Sequence, residues 1–172
     1  LADRHGTTYE ELMIEKIAGP LGMNSTRLAF TPDMEKRLAK GHHFGIEVGN
    51  WDFQAIAGAG AIRSTAVDML RYLAGNLGLV DSDILPALKL SHENTGATIG
   101  DLTVGLGWLK MPYDGGDIIW HDGGTGGYMS FMGFNRETRM GVVVLTNSQS
   151  FPDDIGFHLL NPDMELARPV PS

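Results

Sequence analysis

Residues 118–146 read IIWHDGGTGGYMSFMGFNRETRMGVVVLT. Ile118 to His121, Tyr128 to Asn135 and Met140 to Thr146 have the β-branched and aromatic content of strands. The last two are joined by the tight polar run Asn135-Arg136-Glu137-Thr138, which predicts an antiparallel hairpin. Val142 to Leu145 is continuously apolar, as expected of a strand covered on both faces. A further strand is expected over Val104 to Met111.

The residues before Gly100 have a different character. Thr7 and Thr8 each stand three residues before a glutamate, Glu10 or Glu11, which is capping-box spacing. Tyr9, Leu12, Met13 and Ile17 follow as an apolar stripe, so a helix is expected over 7–18, ended by Gly19-Pro20. Residues 24–60 lack a period apart from a short helix near Met34 to Leu38, and a stretch of that length is often functional lining. Gly58-Ala59-Gly60-Ala61 leads into a second helix capped by Ser64 or Thr65, with Asp68 three residues past Thr65. Its expected buried face is Val67, Leu70, Leu73, Ala74 and Leu77, and Gly78 stops it. A third helix is expected over about 82–92, with Pro86 in its first turn, and a short one over 153–160. Three of the eight prolines fall in 161–172, so that stretch is expected as an unpacked, flexible tail. Helices followed by antiparallel strands give an α+β class: an antiparallel sheet flanked by helices.

The chain has 172 residues, 21 acidic and 13 basic side chains, a net charge of −8 and no cysteine. The length suits one domain. A hydrophobic content of 42% is too high for a disordered chain. The negative balance argues against nucleic acid as a partner, since phosphate-backbone affinity needs clustered Lys and Arg. Without cysteine there is no disulfide, thiolate metal site or thiol nucleophile. No stretch approaches the roughly 20 apolar residues of a membrane span. The chain starts at Leu1 in a polar turn without an initiator Met, which reads as a piece of something longer.

Chemistry concentrates at Trp120 to Tyr128. His121 ends an apolar strand, and Gly123, Gly124, Gly126 and Gly127 separate it from the next. Glycines let a ligand approach the backbone and leave amides free to point at it. Free amides beside an ionisable side chain are the ingredients of an oxyanion hole. A glycine-rich hairpin connection with a solvated histidine would leave the same pattern. Neither Gly-x-Gly-x-x-Gly nor a P-loop lysine is present.

Four landmarks in order now resemble a family. They are Tyr9-Glu10-Glu11-Leu12 with Gly19-Pro20-Leu21-Gly22-Met23-Asn24-Ser25-Thr26; Gly58 to Met69 with its Ser64-Thr65-Ala66-Val67-Asp68 helix start; His121 to Gly127; and Gly141 to Asn147. Together they resemble the serine β-lactamase-like and penicillin-binding superfamily, which includes class C β-lactamases, D-Ala-D-Ala carboxypeptidases and related esterases. That family uses Ser-x-x-Lys, Tyr-x-Asn or Ser-x-Asn, and a third motif, Lys-Thr-Gly or a His-led version. The resemblance maps His121 onto the Lys or His position, where it would polarise substrate and carry protons. Gly123 would let the strand edge meet the substrate, and the Gly124 amide would be one oxyanion donor. Asp122 and Thr125 would flank the substrate. Asp122 replaces the usual Thr or Ser, and a carboxylate there disfavours acidic substrates and favours a neutral ester or amide. The family needs no metal or cofactor, and its members occur in the periplasm, outside the cell or in the cytoplasm.

No lysine has a serine three residues before it, and no asparagine has Tyr or Ser two before it. The first two motifs are therefore absent, and residues 1–160 look like the C-terminal segment of one such domain. Without nucleophile and base, covalent acyl transfer cannot proceed. The expected function is one part of a hydrolase acting on an ester, amide or β-lactam, inactive without its N-terminal half. The alternative is a non-catalytic module that keeps the fold and self-associates through exposed edges. Adjacent His42 and His43 would point to opposite faces of a strand, so they cannot share one ion; His121 with Asp122 has the same problem. A small histidine–metal protein is the weakest option. His5, His92 and His158 are expected at the surface or satisfied in the core. Ser64 reads as a helix cap.

Overall fold

Thr8 and Glu11 close the capping box: the Thr8 hydroxyl accepts from the Glu11 amide at 3.2 Å, and the Glu11 carboxylate accepts from the Thr8 amide at 2.9 Å. The computed structural model describes residues 1–167. In chain order they form α1 (Ala2–His5), α2 (Tyr9–Met13), α3 (Pro32–Arg37), β1 (Gly41–His43), β2 (Ile46–Val48), α4 (Ala66–Asn76), α5 (Leu85–Ser91), β3 (Thr98–Ile99), β4 (Leu102–Val104), β5 (Leu109–Met111), β6 (Ile118–Thr125), β7 (Tyr128–Asn135), β8 (Met140–Thr146) and α6 (Asp153–Leu160). A 3-10 turn covers Gln54–Ala59. Strands β3 to β8 make one antiparallel sheet in sequence order, and β1 and β2 make a separate hairpin. The expected α+β class, an antiparallel sheet flanked by helices, is the class observed.

The pleat divides the core. Ile119 and Phe134 face α4, where they pack with Leu73 and Trp108. Ile118 and Phe131 face the other way, against Leu160 of α6. Both faces of β8 carry a helix, as its unbroken apolar run requires: Val143 joins the first layer, Val142 and Val144 the second. Fully burying a side chain such as Phe131 or Phe134 contributes about 2–3 kcal/mol, so these two layers dominate the cohesion.

Several boundaries differ from expectation. The first helix passes into a π turn over Ile14–Ala18, with the Gly19 amide donating to the Ile14 carbonyl five residues back at 2.8 Å. The wider turn brings Ala18 inward beside Met13 and leaves Ile17 exposed, which breaks the expected stripe. On α4, Leu73 is buried, yet Val67 and Leu70 are 61% and 48% exposed. The face α4 presents to the sheet and α5 is instead built from Met69, Tyr72, Leu73 and Leu77. The strand expected over 104–111 is two strands. Gly105 donates to the Trp108 carbonyl at 2.8 Å, and this tight turn folds β5 back on β4.

The strand expected to stop at His121 runs on to Thr125. The turn is Gly126-Gly127 alone, since Thr125 pairs with Tyr128. Gly127 has φ +79°, and a Cβ there would lie 2.6 Å from the backbone of Gly41 and His42, so only glycine fits. The β1–β2 hairpin and β3 carry no sequence period, being two or three residues long. Residues 161–167 turn back onto α6: Asn161 is buried, the Met164 carbonyl takes the His158 ring, and the Ala167 amide reaches the Asp154 carboxylate. The rest of the expected tail, 168–172, lies outside the described residues.

Candidate functional site

Strand β5 pairs with β6 only from Ile118 to Trp120. Beyond that point β6 is paired on one side, to β7. His121 to Thr125 is therefore a half-open edge, where alternate residues direct N–H and C=O groups away from the sheet. The edge looks into a cleft of about 810 Å³ between the sheet and the layer of α2 and α4. Its walls are mostly apolar, with Met13, Met69, Tyr72, Met132 and Val143 among them. The five residues singled out in the sequence, His121, Asp122, Gly123, Gly124 and Thr125, all line it.

Their side chains do not share one face. The pleat puts His121, Gly123 and Thr125 with Ile119 on the α4 side, and Asp122 and Gly124 with Ile118 on the α6 side. Asp122 accordingly acts on Asp153 at the start of α6. Burial raises the Asp153 carboxyl above the ordinary value, and the Asp122 and then Asp154 carboxylates add to this. The Asp122 carbonyl lies 2.5 Å from His121 Nδ1. A carbonyl only accepts, so Nδ1 carries a hydrogen, and in the neutral form of the ring Nε2 is then the acceptor nitrogen. In that neutral form the imidazole can accept a proton, which a charged lysine in the same place cannot.

Sequence reasoning missed two parts of the site. Ser130 pairs with Gly123 and lines the cleft. Its hydroxyl is 3.5 Å from the Gly123 carbonyl, too long to satisfy either group well. The hairpin register could have placed it, had β6 been carried through the glycines. The second is a buried relay. Thr26 donates to Asp68 at 2.9 Å, so the 2.8 Å contact between Thr26 and Ser64 must have Ser64 as donor. The Ser25 amide also donates to Asp68, at 2.7 Å. Thr65, not Ser64, caps α4. Ser64 lines the cleft with its proton already committed.

The mouth of the cleft is tied down by backbone. His42 donates its amide toward the carbonyls of Gly127 and Asn147, at 3.1 and 2.9 Å. Tyr128 donates to the Ala39 carbonyl at 2.6 Å. Arg63 spans the opposite rim, reaching the carbonyls of Leu28 and Ala61 and lying over the Phe30 ring. His42 and His43 sit on the β1 strand, where successive side chains alternate. Among the described residues no group of three or more His, Asp or Glu is placed to hold a metal ion, and no helix is long and apolar enough to cross a membrane.

Comparison with known proteins places this architecture. The family model "Beta-lactamase" matches residues 1–159. A β-lactamase of Escherichia coli K12 is 27% identical over 194 residues, covering 91% of this chain and 51% of its own length. The D-alanyl-D-alanine-carboxypeptidase/endopeptidase AmpH of the same organism is 32% identical over 163 residues, covering 86% of this chain and 42% of its own. A crystal structure of a β-lactamase from Sulfitobacter sp. EE-36 superposes with a TM-score of 0.85 at 20% identity, over 94% of this chain and 55% of that one. A class C β-lactamase gives 0.81 at 22% identity, over 88% and 50%. The chain thus spans about half the length of the relatives it matches. The family model covers nearly all of it, with the sheet, the α4 helix and the glycine edge inside the match, and the chain belongs to the Beta-lactamase family.

Proposed function

We propose that this chain supplies the His121–Gly124 wall of an acyl-transfer site whose nucleophile lies on a complementary N-terminal part. The half-open β6 edge carries this reading: it sets free backbone groups beside an imidazole with an available Nε2, on the floor of an apolar cleft. In such a site a serine oxygen bonds to the substrate carbonyl carbon and the carbonyl oxygen becomes an oxyanion held by backbone amides. Gly124 supplies one of them. The leaving group departs protonated, an acyl-enzyme remains, and water releases the acid and restores the serine. His121 Nε2 takes and returns protons along this path.

The substrate class is an ester, amide or β-lactam. The names of the relatives point to β-lactam and D-alanyl peptide substrates. The Asp122 side chain faces α6 and Asp153 rather than the α4 side of the sheet, so it does not by itself exclude a substrate carboxylate from the cleft. The chain alone is expected to resist labelling by a fluorophosphonate or a fluorescent penicillin. Extending it by the coding sequence upstream of Leu1, where that carries Ser-x-x-Lys and Tyr-x-Asn, should restore labelling at that serine. Stoichiometric labelling of any serine in the isolated chain would overturn the half-site reading.

A second reading, a self-associating module, is favoured by the exposure of Val67 and Leu70 and by the outer edge of β8, which has no partner strand among the described residues. Light scattering after size exclusion separates the two, since a stable monomer at micromolar concentration excludes self-association.

A further inference from the structure

We infer that the Arg136–His92–Asn76 chain is an acid-sensitive latch, fastening the β7–β8 connection and the end of α5 to the end of α4. It lies on the sheet away from the glycine edge and is independent of the acyl-transfer reading. His92 is 1% exposed, caps the C-terminus of α5, and sits against the rings of Trp108 and Phe134, at 5.7 and 5.0 Å between centroids. Both its nitrogens are engaged. Arg136 Nη2 contacts Nδ1, and Nε2 is 2.6 Å from Asn76 Oδ1.

The proton positions follow without choice. A guanidinium only donates, so Nδ1 must accept. Nε2 then carries the hydrogen and donates to Asn76 Oδ1. That fixes the Asn76 amide, whose Nδ2 donates to the Tyr72 carbonyl at 2.8 Å. Four residues from three separate elements share one directional chain of hydrogen bonds, and it exists only while the imidazole is neutral.

A proton added at Nδ1 would face the Arg136 donor directly. Among the described residues no acidic group acts on it in compensation. The charges acting on His92 are Arg136, from the β7–β8 connection, and Lys110, from β5, both cationic. The carboxylate near Lys110, Asp117, is already 3.6 Å from its ammonium. From α4 the titratable neighbour is Tyr72, whose buried hydroxyl is pushed up and stays neutral. Burial first, then Arg136 and Lys110, bring His92 down from 6.5 to about 4.

The sign of the effect is set by the unfolded chain, where a histidine titrates near 6.5. A folded value below that means the unfolded state binds the proton first. The latch therefore contributes in full above about pH 6.5 and is lost as pH falls toward 4. Most carboxylates titrate below pH 5, and Asp153 and the other histidines are common to the wild type and a His92 variant, so the difference between the two proteins from pH 7 to 5 isolates His92.

The test is urea unfolding of the wild-type chain and His92→Gln at pH 7 and pH 5. A glutamine side chain can accept from Arg136 and donate to Asn76 but does not titrate. The wild-type unfolding constant should rise between these pH values by roughly 20-fold more than that of the variant. Equal pH dependence in the two proteins would overturn the latch. Should His92→Gln fail to fold, the ring carbon and nitrogen shifts of His92 in the wild type decide alone: a midpoint near 4 supports it and one near 6.5 overturns it.

Discussion

Asp68→Ala is expected to lower the stability of the chain by about 2–4 kcal/mol, the scale of depriving buried donors of the acceptor they share. Asp68 sits in the first turn of α4 and is 2% exposed. Its carboxylate accepts from the Ser25 amide, the Thr26 hydroxyl and Arg71, at 2.7, 2.9 and 3.0 Å. These contacts join the 19–27 turn to α4, across more than forty residues of chain. Truncation strands the Ser25 amide and leaves the Thr26 hydroxyl with Ser64 alone, and a stranded buried group costs about 1–3 kcal/mol. Arg71 matters less, because its side chain is half exposed and water replaces the lost partner. The Thr65 cap one turn earlier is worth only about 1 kcal/mol, so Thr65→Ala is the natural comparison. Urea unfolding of both variants checks the ranking. A loss below 1 kcal/mol for Asp68→Ala would mean that the relay does not hold the helix. Domains of this kind are stable by roughly 5–15 kcal/mol, so the larger loss can abolish folding outright.

Gly156→Ala should also destabilise, against the preference of the helix in which it lies. In the interior of a solvated helix alanine is better than glycine by about 1 kcal/mol. Here the added Cβ would fall 2.1 Å from Cδ1 and 2.3 Å from Cε1 of Phe131. Ordinary carbon contacts are about 3.5–4.0 Å. The Phe131 ring cannot swing aside, because Trp120 stacks on it at 5.9 Å and Phe157 meets it edge-on at 5.0 Å. Relief requires α6 to rise off the sheet, opening the layer that buries Ile118 and Leu160. Overpacking of this kind costs about 1–3 kcal/mol or more, which exceeds the gain in helix propensity. A net loss of about 1–2 kcal/mol is expected in thermal unfolding. An unchanged or raised melting temperature would show that α6 is not seated on Phe131.

How much of this was legible in the sequence depends on the range of the interactions. The Thr8–Glu11 box, the Thr65 cap and the 153–160 helix are local, and their signals lie within four residues. The β7–β8 hairpin was equally plain. Val67 and Leu70 repeat at helical spacing and read as buried, but periodicity marks an apolar stripe and not the surface that covers it. The glycines at 123 and 124 read as a break in β6 because glycine lowers strand propensity. Cross-strand pairing to Ser130 and Met129 overrides that weakness. At the site, His121 and the glycine edge could be named from sequence. The direction of Asp122 could not, since it depends on the pleat continuing past His121. The Ser25–Thr26–Asp68 relay was out of reach too, because its members stand 42 and 43 residues apart.

The order of the large sheet has a kinetic consequence. Each strand from β3 to β8 pairs with its immediate neighbour in the chain. Closing these short loops is entropically inexpensive, and the rate of folding rises as contacting residues lie nearer in sequence. The meander can zip from the β7–β8 hairpin outward without waiting for a distant segment. The helical layer differs, since Asp68 must find Ser25 and Thr26 across a long loop. The sheet is thus suited to assemble first and serve as the template on which the first 80 residues settle.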